Sequence, residues 1–206
     1  MNPNWAEENL QTIRTLMERS AVYRRALAPI MLLAGALGTI AAAAGILFHC
    51  DSFPGFIVLW FTTAAFAVTG ALLIVRRQAL KEKEAFWSPP TRRVAQALAP
   101  PLFVGLFWGL LFACMGAAFT LASIVSIAWV LLYGFALHAA GFFMPRGMRL
   151  FGWLFIACSC PLVYVDVTGG IDLEDKAHWL MGFFFGVLHL AYGGYLYLTE
   201  KKNPVA

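Results

Sequence analysis

The sequence predicts an all-α membrane protein: a bundle of six transmembrane helices preceded by an amphipathic cytoplasmic helix. Three observations lead to this fold class. Of the 206 residues, 61% are hydrophobic and only 13% are charged, whereas soluble domains are about 45–50% apolar and about 25% charged. Six stretches are apolar enough to cross a bilayer, which takes about 20 residues each. The basic residues form clusters between these stretches, as they do in cytoplasmic membrane loops.

The six predicted spans follow one another through short connections. They run over Leu27–Phe48, Phe56–Val75, Leu98–Ala118, Leu121–Phe143, Leu150–Val167 and Trp179–Leu198. The segment from Leu98 to Phe143 is more than twice as long as one crossing requires, so it predicts a tight helical hairpin. The chain then has three parts: a cytoplasmic helix over residues 1–26, a transmembrane domain over 27–198, and a cytoplasmic tail over 199–206.

Lysine and arginine predict the orientation of the spans. With both termini inside the cell, only Lys176 among the 15 basic residues lies outside. Basic residues collect on the cytoplasmic side of multi-pass proteins, so this bias supports an even number of spans. The net charge of +4 is therefore assigned to loops at a membrane surface, and no nucleic-acid partner is expected.

The first 26 residues predict an amphipathic helix rather than a cleaved signal peptide, because acidic residues accompany the arginines. Asn4 followed by Glu7 is typical of a helix N-terminus. Two interpretations stay open: the helix lies on the inner leaflet, or it docks a cytoplasmic protein or a second copy of the chain. The residues expected to contact the membrane or partner are Leu10, Ile13, Arg14, Met17, Arg24 and Arg25.

The same segment carries a resemblance to known proteins. Residues 10–23 read Leu-Gln-Thr-Ile-Arg-Thr-Leu-Met-Glu-Arg-Ser-Ala-Val-Tyr, and an alanine- and glycine-rich span follows. This opening resembles that of a group of uncharacterised bacterial inner-membrane proteins. The resemblance implies a multi-pass protein of the bacterial inner membrane, and it transfers no activity and no site residue.

Small residues at spacing four predict where the helices approach each other closely, since packing in lipid favours bare helix faces. The third span presents such a face for contacts within one chain or in a homo-oligomer. Pro100 and Pro101, at the expected inner start of that span, and Pro161 interrupt helix hydrogen bonds. The small-residue positions are Ala34, Gly38 and Ala42, then Gly105, Gly109, Ala113 and Ala117, then Gly182 and Gly186.

Two histidines within the spans are the main candidates for function, because burying an ionisable side chain in a membrane is costly. His138 and His189 lie in spans of the same direction, at depths that differ by roughly 6 Å, so they can meet or flank one ligand. Three roles stay open: a structural hydrogen bond, a solute or proton pathway, and axial ligation of haem. Glycines leave a bare face beside each histidine: Gly134 and Gly141 for one, Gly186 and Gly193 for the other.

The outer face collects acidic residues, among them Asp51, Asp172, Glu174 and Asp175. Either acids are simply tolerated where basic residues are excluded, or they attract cations. The candidate ligands for a divalent metal are His49, Asp51 and His178, since carboxylate and imidazole are common ligands. Asp166 at the outer end of the fifth span is expected to point into the bundle, where it needs a partner or a proton.

Taken together, these features predict a small transporter or channel for an ion or small solute. A non-catalytic interaction or sensor protein acting through the N-terminal helix is the first alternative. A haem protein using His138 and His189 is the second, and no other cofactor is indicated. No catalytic triad, phosphate-binding loop or catalytic carboxylate pair occurs, so the chain is not expected to be an enzyme.

Overall fold

The computed structural model describes residues 26–50, 52–83, 85–114, 122–169 and 172–202. Within these residues the chain is helical and contains no strand. The helices are α1 (Ala26–Leu47), α2 (Phe53–Lys81), α3 (Pro89–Cys114), α4 (Ala122–Ala140) and α5 (Arg146–Thr168). The last helix, α6, changes type along its length: it is α-helical over Ala177–Met181, π-helical over Gly182–Val187 and α-helical again over Leu188–Lys202.

All six helices are long and apolar enough to cross a membrane, which confirms their number and approximate places. Several predicted ends were wrong. Helix α3 begins at Pro89 rather than at Leu98. The first N–H groups of a helix have no acceptor within the helix, so a proline in the first turn loses no hydrogen bond. Pro100 and Pro101 therefore lie inside α3 and not at its start. Helix α5 ends where Gly169 adopts φ +66°, a left-handed cap that suits glycine.

Helices α1 and α6 pack backbone against backbone through their small residues. A methyl group added at Gly38 would lie 2.9 Å from the backbone nitrogen of Gly186. One added at Gly186 would lie 3.0 Å from the backbone nitrogen of Thr39. Ala42 similarly faces Gly182. The small-residue faces of the first and last spans thus meet each other, as close helix packing in lipid favours.

Helices α4 and α5 form a second close contact. A methyl group at Gly152 would lie 2.6 Å from the backbone nitrogen of His138 and 2.8 Å from the carbonyl oxygen of Gly134. Helix α3 packs on α4 less intimately: Gly105 and Gly109 are buried, and the Trp129 indole donates to the Gly105 carbonyl at 2.9 Å. The glycine face of α3 is therefore used within one chain.

Two apolar clusters fill the bundle, and α1, α4 and α6 contribute to both. One cluster joins α1, α4, α5 and α6 around the fully enclosed Phe155. The other lies between α1, α2, α4 and α6 around Phe56 and Trp60. By contrast α2 and α3 expose large apolar side chains over much of their length, such as Phe66 and Phe103. Such a surface is unusual in water and common in lipid.

Candidate functional site

His189 is enclosed near the middle of α6, with only 1% of its surface exposed. Its Nδ1 lies 2.9 Å from the Phe184 carbonyl oxygen, and its Nε2 lies 2.9 Å from the Tyr133 hydroxyl. A carbonyl can only accept, so Nδ1 carries the proton and donates. In the neutral imidazole Nε2 then accepts from the Tyr133 hydroxyl. Both ring nitrogens of His189 are therefore satisfied by protein groups.

The π-helical segment explains why a carbonyl is free for this histidine. In an α-helix the Leu188 N–H would donate to the Phe184 carbonyl. Here it donates to the Phe183 carbonyl, one residue further back. The Phe184 carbonyl has thus lost its α-helical donor, and the His189 ring replaces it. The hydrogen bond from His189 thus satisfies the carbonyl that the π-helical turn leaves free, as buried backbone carbonyls require.

Aromatic rings surround His189 on several sides. The rings of Phe151 and Phe155 on α5 meet the imidazole nearly at right angles, with centroids 5.3 and 5.7 Å away. The Tyr133 ring lies 5.4 Å away and the Phe185 ring 6.1 Å away. A haem plane needs open space beside its axial ligand and an unoccupied ring nitrogen. The residues around His189 provide neither, so they do not fit haem.

The glycines flanking the two histidines are positions where a neighbouring helix packs closely. Gly186 and Gly193 face Thr39 and Leu32 on α1. Gly134 faces Phe155 and Ile156 on α5, and Gly141 faces Arg149. Each of the four would place an added methyl group at 3.0 Å or less from one of these neighbours. Their small size therefore permits close packing, which is one of the uses that the sequence left open.

His138 lies in a different environment, at the edge between α4 and α5. It is half-buried, and its ring meets Phe142 and Trp153 edge-on, both at 5.4 Å between centroids. Its Nδ1 is enclosed and has no hydrogen-bond partner among the residues that the structure describes. Within the part of the chain that the structure describes, no hydrogen bond or ring contact joins His138 to His189. The two imidazoles have separate partners.

A third histidine, His178, lies at the N-terminal end of α6. The Trp60 indole donates to its Nδ1 at 3.3 Å, so its proton is on Nε2, which donates to the Cys50 carbonyl at 3.2 Å. The side chain is 6% exposed. Both ring nitrogens are thus occupied and unavailable to a metal. Among the described residues no group of three potential metal ligands occurs, and Asp51 lies outside them.

One acidic residue of the candidate outer face has a definite structural role. The two carboxylate oxygens of Glu174 accept the backbone N–H groups of Ala122 and Ser123, each at 2.9 Å. Glu174 therefore caps the N-terminus of α4 from the loop before α6, where the helix dipole favours negative charge. Asp172 accepts the Glu174 N–H at 3.0 Å within that loop. Glu174 and Ala122 are 52 residues apart in the sequence, so no short-range pattern predicts this contact.

The other predicted residues remain without a demonstrated role. Asp166 is half-buried, and its carboxylate makes no hydrogen bond or ion pair with any described residue. His49 is exposed. The expected N-terminal helix, with Leu10, Ile13, Arg14, Met17, Arg24 and Arg25, lies outside the described residues. Tyr133 and Trp60, which hold the two buried histidines, were not among the predicted site residues, because their partners lie far away in sequence.

Comparison with known proteins adds no assignment to this geometry. No protein-family model, curated protein or solved structure matches the chain.

Proposed function

We propose that the chain is a six-span protein of the bacterial inner membrane with both termini in the cytoplasm. The apolar surface of α2 and α3 supports insertion in lipid, since water would solvate it poorly. The distribution of lysine and arginine, with Lys176 alone on the opposite side, supports the orientation. The resemblance of residues 10–23 to bacterial inner-membrane proteins supports the choice of membrane.

Single cysteines introduced into a cysteine-free variant test this orientation. Ser52→Cys and Asp172→Cys are expected to react with a membrane-impermeant maleimide added to intact cells, because both lie in outer loops of the proposed topology. Lys83→Cys, in an inner loop, is expected to react only after the cells are permeabilised. Labelling of Lys83→Cys in intact cells would contradict the topology.

Within that topology, the function we propose is passage of a small ion or solute, with His138 as the residue that it meets. The observation that carries this proposal is the difference in hydrogen bonding between the two histidines. His189 has protein partners on both ring nitrogens. His138 forms no hydrogen bond with any described residue, and its Nδ1 is enclosed. Polar groups in a membrane normally pair, so an imidazole without a protein partner favours one supplied by a water, ion or solute.

Proton flux is the first probe, because histidine is a common proton shuttle in proteins. Purified protein is reconstituted into vesicles containing a trapped pH-sensitive dye, and a pH step is imposed from outside. The wild type is expected to dissipate the gradient faster than protein-free vesicles, and His138→Gln to lose this excess. Tyr195→Phe serves as a control, since it removes a hydroxyl from an exposed side chain of α6. Wild-type vesicles as tight as empty ones would exclude proton passage.

The packing of the bundle favours a second candidate, a membrane-anchored interaction protein. Helices α1 and α6, like α4 and α5, touch through their backbones, and such contacts suit a rigid anchor more than a gated pathway. The working surface would then be the N-terminal segment. Deletion of residues 1–24 is expected to abolish cross-linking to a cytoplasmic protein while the bundle keeps its unfolding transition. Unchanged cross-linking would exclude this segment as the docking surface.

A further inference from the structure

Two helices bring an unusual group of side chains together at the inner end of α4 and α5. Helix α4 and the turn after it contribute His138 and Phe142, four residues apart, and α5 contributes Arg149 and Trp153, also four residues apart. The guanidinium of Arg149 lies over the Phe142 ring, 5.1 Å from its centroid. The His138 ring meets both Phe142 and Trp153. Residues at this spacing share one face of a helix, so the four side chains form one patch.

The position of Arg149 in this patch is set by its neighbours. Gly141 is buried and faces the backbone and the aliphatic stem of Arg149, so that a methyl group there would lie 2.7 Å from the Arg149 backbone nitrogen. The stem therefore lies against α4, and the Phe142 ring supports the guanidinium at its far end through a cation–π contact. A charge held from both ends loses less conformational entropy when it binds a ligand.

The polar groups of the patch have no hydrogen-bond or ion-pair partner in the part of the chain that the structure describes. Among the described residues, Arg149 forms no ion pair and Trp153 makes no hydrogen bond through its indole N–H. His138 likewise has no hydrogen bond. The guanidinium and the indole can only donate, with five N–H groups on the arginine alone, and a neutral imidazole adds one donor and one acceptor. The patch is thus rich in donors and needs an acceptor.

Apolar surface surrounds these donors. Phe142 is 63% exposed, Trp153 is 54% exposed, and Leu150 beside Arg149 is 70% exposed. Phe135, one turn before His138, is 45% exposed. A soluble anion would satisfy the donors and leave this apolar surface uncovered. A ligand with an anionic head and a hydrocarbon chain satisfies both parts of the patch.

We propose that Arg149, Trp153 and Phe142, which lie beside His138, form a binding site for one anionic glycerophospholipid of the inner leaflet. The lipid phosphate accepts from the Arg149 guanidinium and the Trp153 indole, and its acyl chain lies along Phe135 and Leu150. Arginine binds phosphate through its planar fork of donors, and aromatic residues commonly lie at the depth of the headgroups. This inference rests on the proposed orientation, which places the patch on the cytoplasmic side, and not on the proposed passage of a solute.

Native mass spectrometry of the full-length protein in neutral detergent tests the site. Dioleoyl phosphatidylglycerol and dioleoyl phosphatidylcholine are added separately, and lipid adducts are counted as a function of concentration. The wild type is expected to show one saturable phosphatidylglycerol adduct. Arg149→Gln is expected to weaken it by roughly tenfold, the effect of losing a charge-assisted hydrogen bond. Arg149→Lys keeps the charge without the fork and is expected to give an intermediate value.

The matched control is Arg92→Gln, which removes the same charge from an exposed position near the start of α3. It is expected to leave the adduct within about twofold of wild type, because any generic attraction of one basic residue is small in a neutral micelle. Equal weakening by the two variants would reduce the site to general surface charge and overturn the proposal. Loss of the adduct in excess inorganic phosphate would assign the patch to a soluble anion and also overturn it.

The result is separable from the other proposals. A protein that passes no protons can still bind one phosphatidylglycerol, and a missing adduct does not affect the proton-flux measurement. Trp153→Phe keeps the ring and removes the indole N–H, so it is expected to weaken the adduct without changing the unfolding transition. Equal affinity of this variant and wild type would remove the indole from the site.

Discussion

His189 and His138 lie in similar sequences but in opposite environments. Each has glycines within four residues on both sides of it in an apolar helix. His189 is enclosed and bonded through both ring nitrogens, whereas His138 is half-buried and has only ring contacts. A bare helix face beside a histidine therefore does not indicate what the histidine itself contacts.

The difference follows from which neighbour each helix face meets. In α6 the glycines face α1, and the histidine points to the aromatic residues of α4 and α5 instead. In α4 the flanking glycines face α5, so the two helices approach closely there and His138 stays at their edge. The local pattern is the same, but only the first arrangement surrounds the imidazole with partners.

Replacing each histidine by alanine tests this contrast most directly. His189→Ala removes a side chain in contact with four rings and leaves the Phe184 carbonyl and the Tyr133 hydroxyl unpaired. It is expected to lower the free energy of unfolding by about 3 kcal/mol. His138→Ala, at the edge, is expected to cost about 1 kcal/mol or less. The measurement is unfolding of the micelle-bound protein by dodecyl sulfate. Similar losses for both variants would mean that the two environments do not differ energetically.

Methyl groups added at the glycines test whether the glycine-containing helix faces are tightly packed against neighbouring helices. Gly152→Ala would place a methyl group 2.6 Å from the His138 backbone nitrogen, and Gly186→Ala one 2.7 Å from the Thr39 hydroxyl oxygen. Each is expected to destabilise the bundle by about 2 kcal/mol, since backbone must move. Gly194 has open space around it, so Gly194→Ala should be neutral or stabilising. If both packed glycines tolerated alanine as well as Gly194 does, cavities rather than helix contacts would adjoin them.

Removal of the cap on α4 affects the helix that carries both Tyr133 and His138. Glu174→Ala leaves the N–H groups of Ala122 and Ser123 without the carboxylate and is expected to cost about 1 kcal/mol. Asp175→Ala, which removes a neighbouring exposed carboxylate, is expected to have no measurable effect. Hydrogen exchange at the start of α4 should accelerate in the first variant alone. Faster exchange in both would attribute the effect to loop charge.

The smallest effect is expected from removing one hydroxyl group, either that of Tyr133 or that of Tyr192. Tyr133→Phe removes the donor to His189 Nε2 and is expected to cost about 0.6 kcal/mol, the average value for hydrogen bonds between membrane helices. Tyr192→Phe removes a buried hydroxyl that has no partner, so it should be neutral or slightly stabilising. The sign of the difference between these variants, measured by the same unfolding titration, checks the hydrogen-bond assignment. A larger cost for Tyr192→Phe would reverse it.

Much of the architecture could be predicted because hydropathy is a property of a short window. The six apolar stretches are visible without any knowledge of contacts, and the small residues of the first and last spans already indicated close packing. The predicted ends failed where a local rule was applied too strictly. Pro100 and Pro101 suggested a helix start, yet a helix can pass through prolines if the freed carbonyls of Gln96 and Ala97 are tolerated.

The candidate site was predictable only in part. An ionisable side chain within an apolar helix is visible in the sequence, so both histidines could be singled out. Their partners could not, because Tyr133 is 56 residues from His189, and no periodicity relates the two. The π-helical turn of α6, which frees the Phe184 carbonyl for His189, also has no signature in composition.

The number of apolar helices and the approximate place of each follow from short windows of the sequence, since both depend on sums over neighbouring residues. Packing between helices determines that Gly38 meets Gly186 and that Glu174 caps α4. It also determines that His189 is hydrogen-bonded, whereas His138 forms no hydrogen bond with a described residue. The physical reason is that each of these outcomes depends on atoms brought within a few ångströms by packing between distant helices. Such contacts are selected by the whole bundle and not by any one segment.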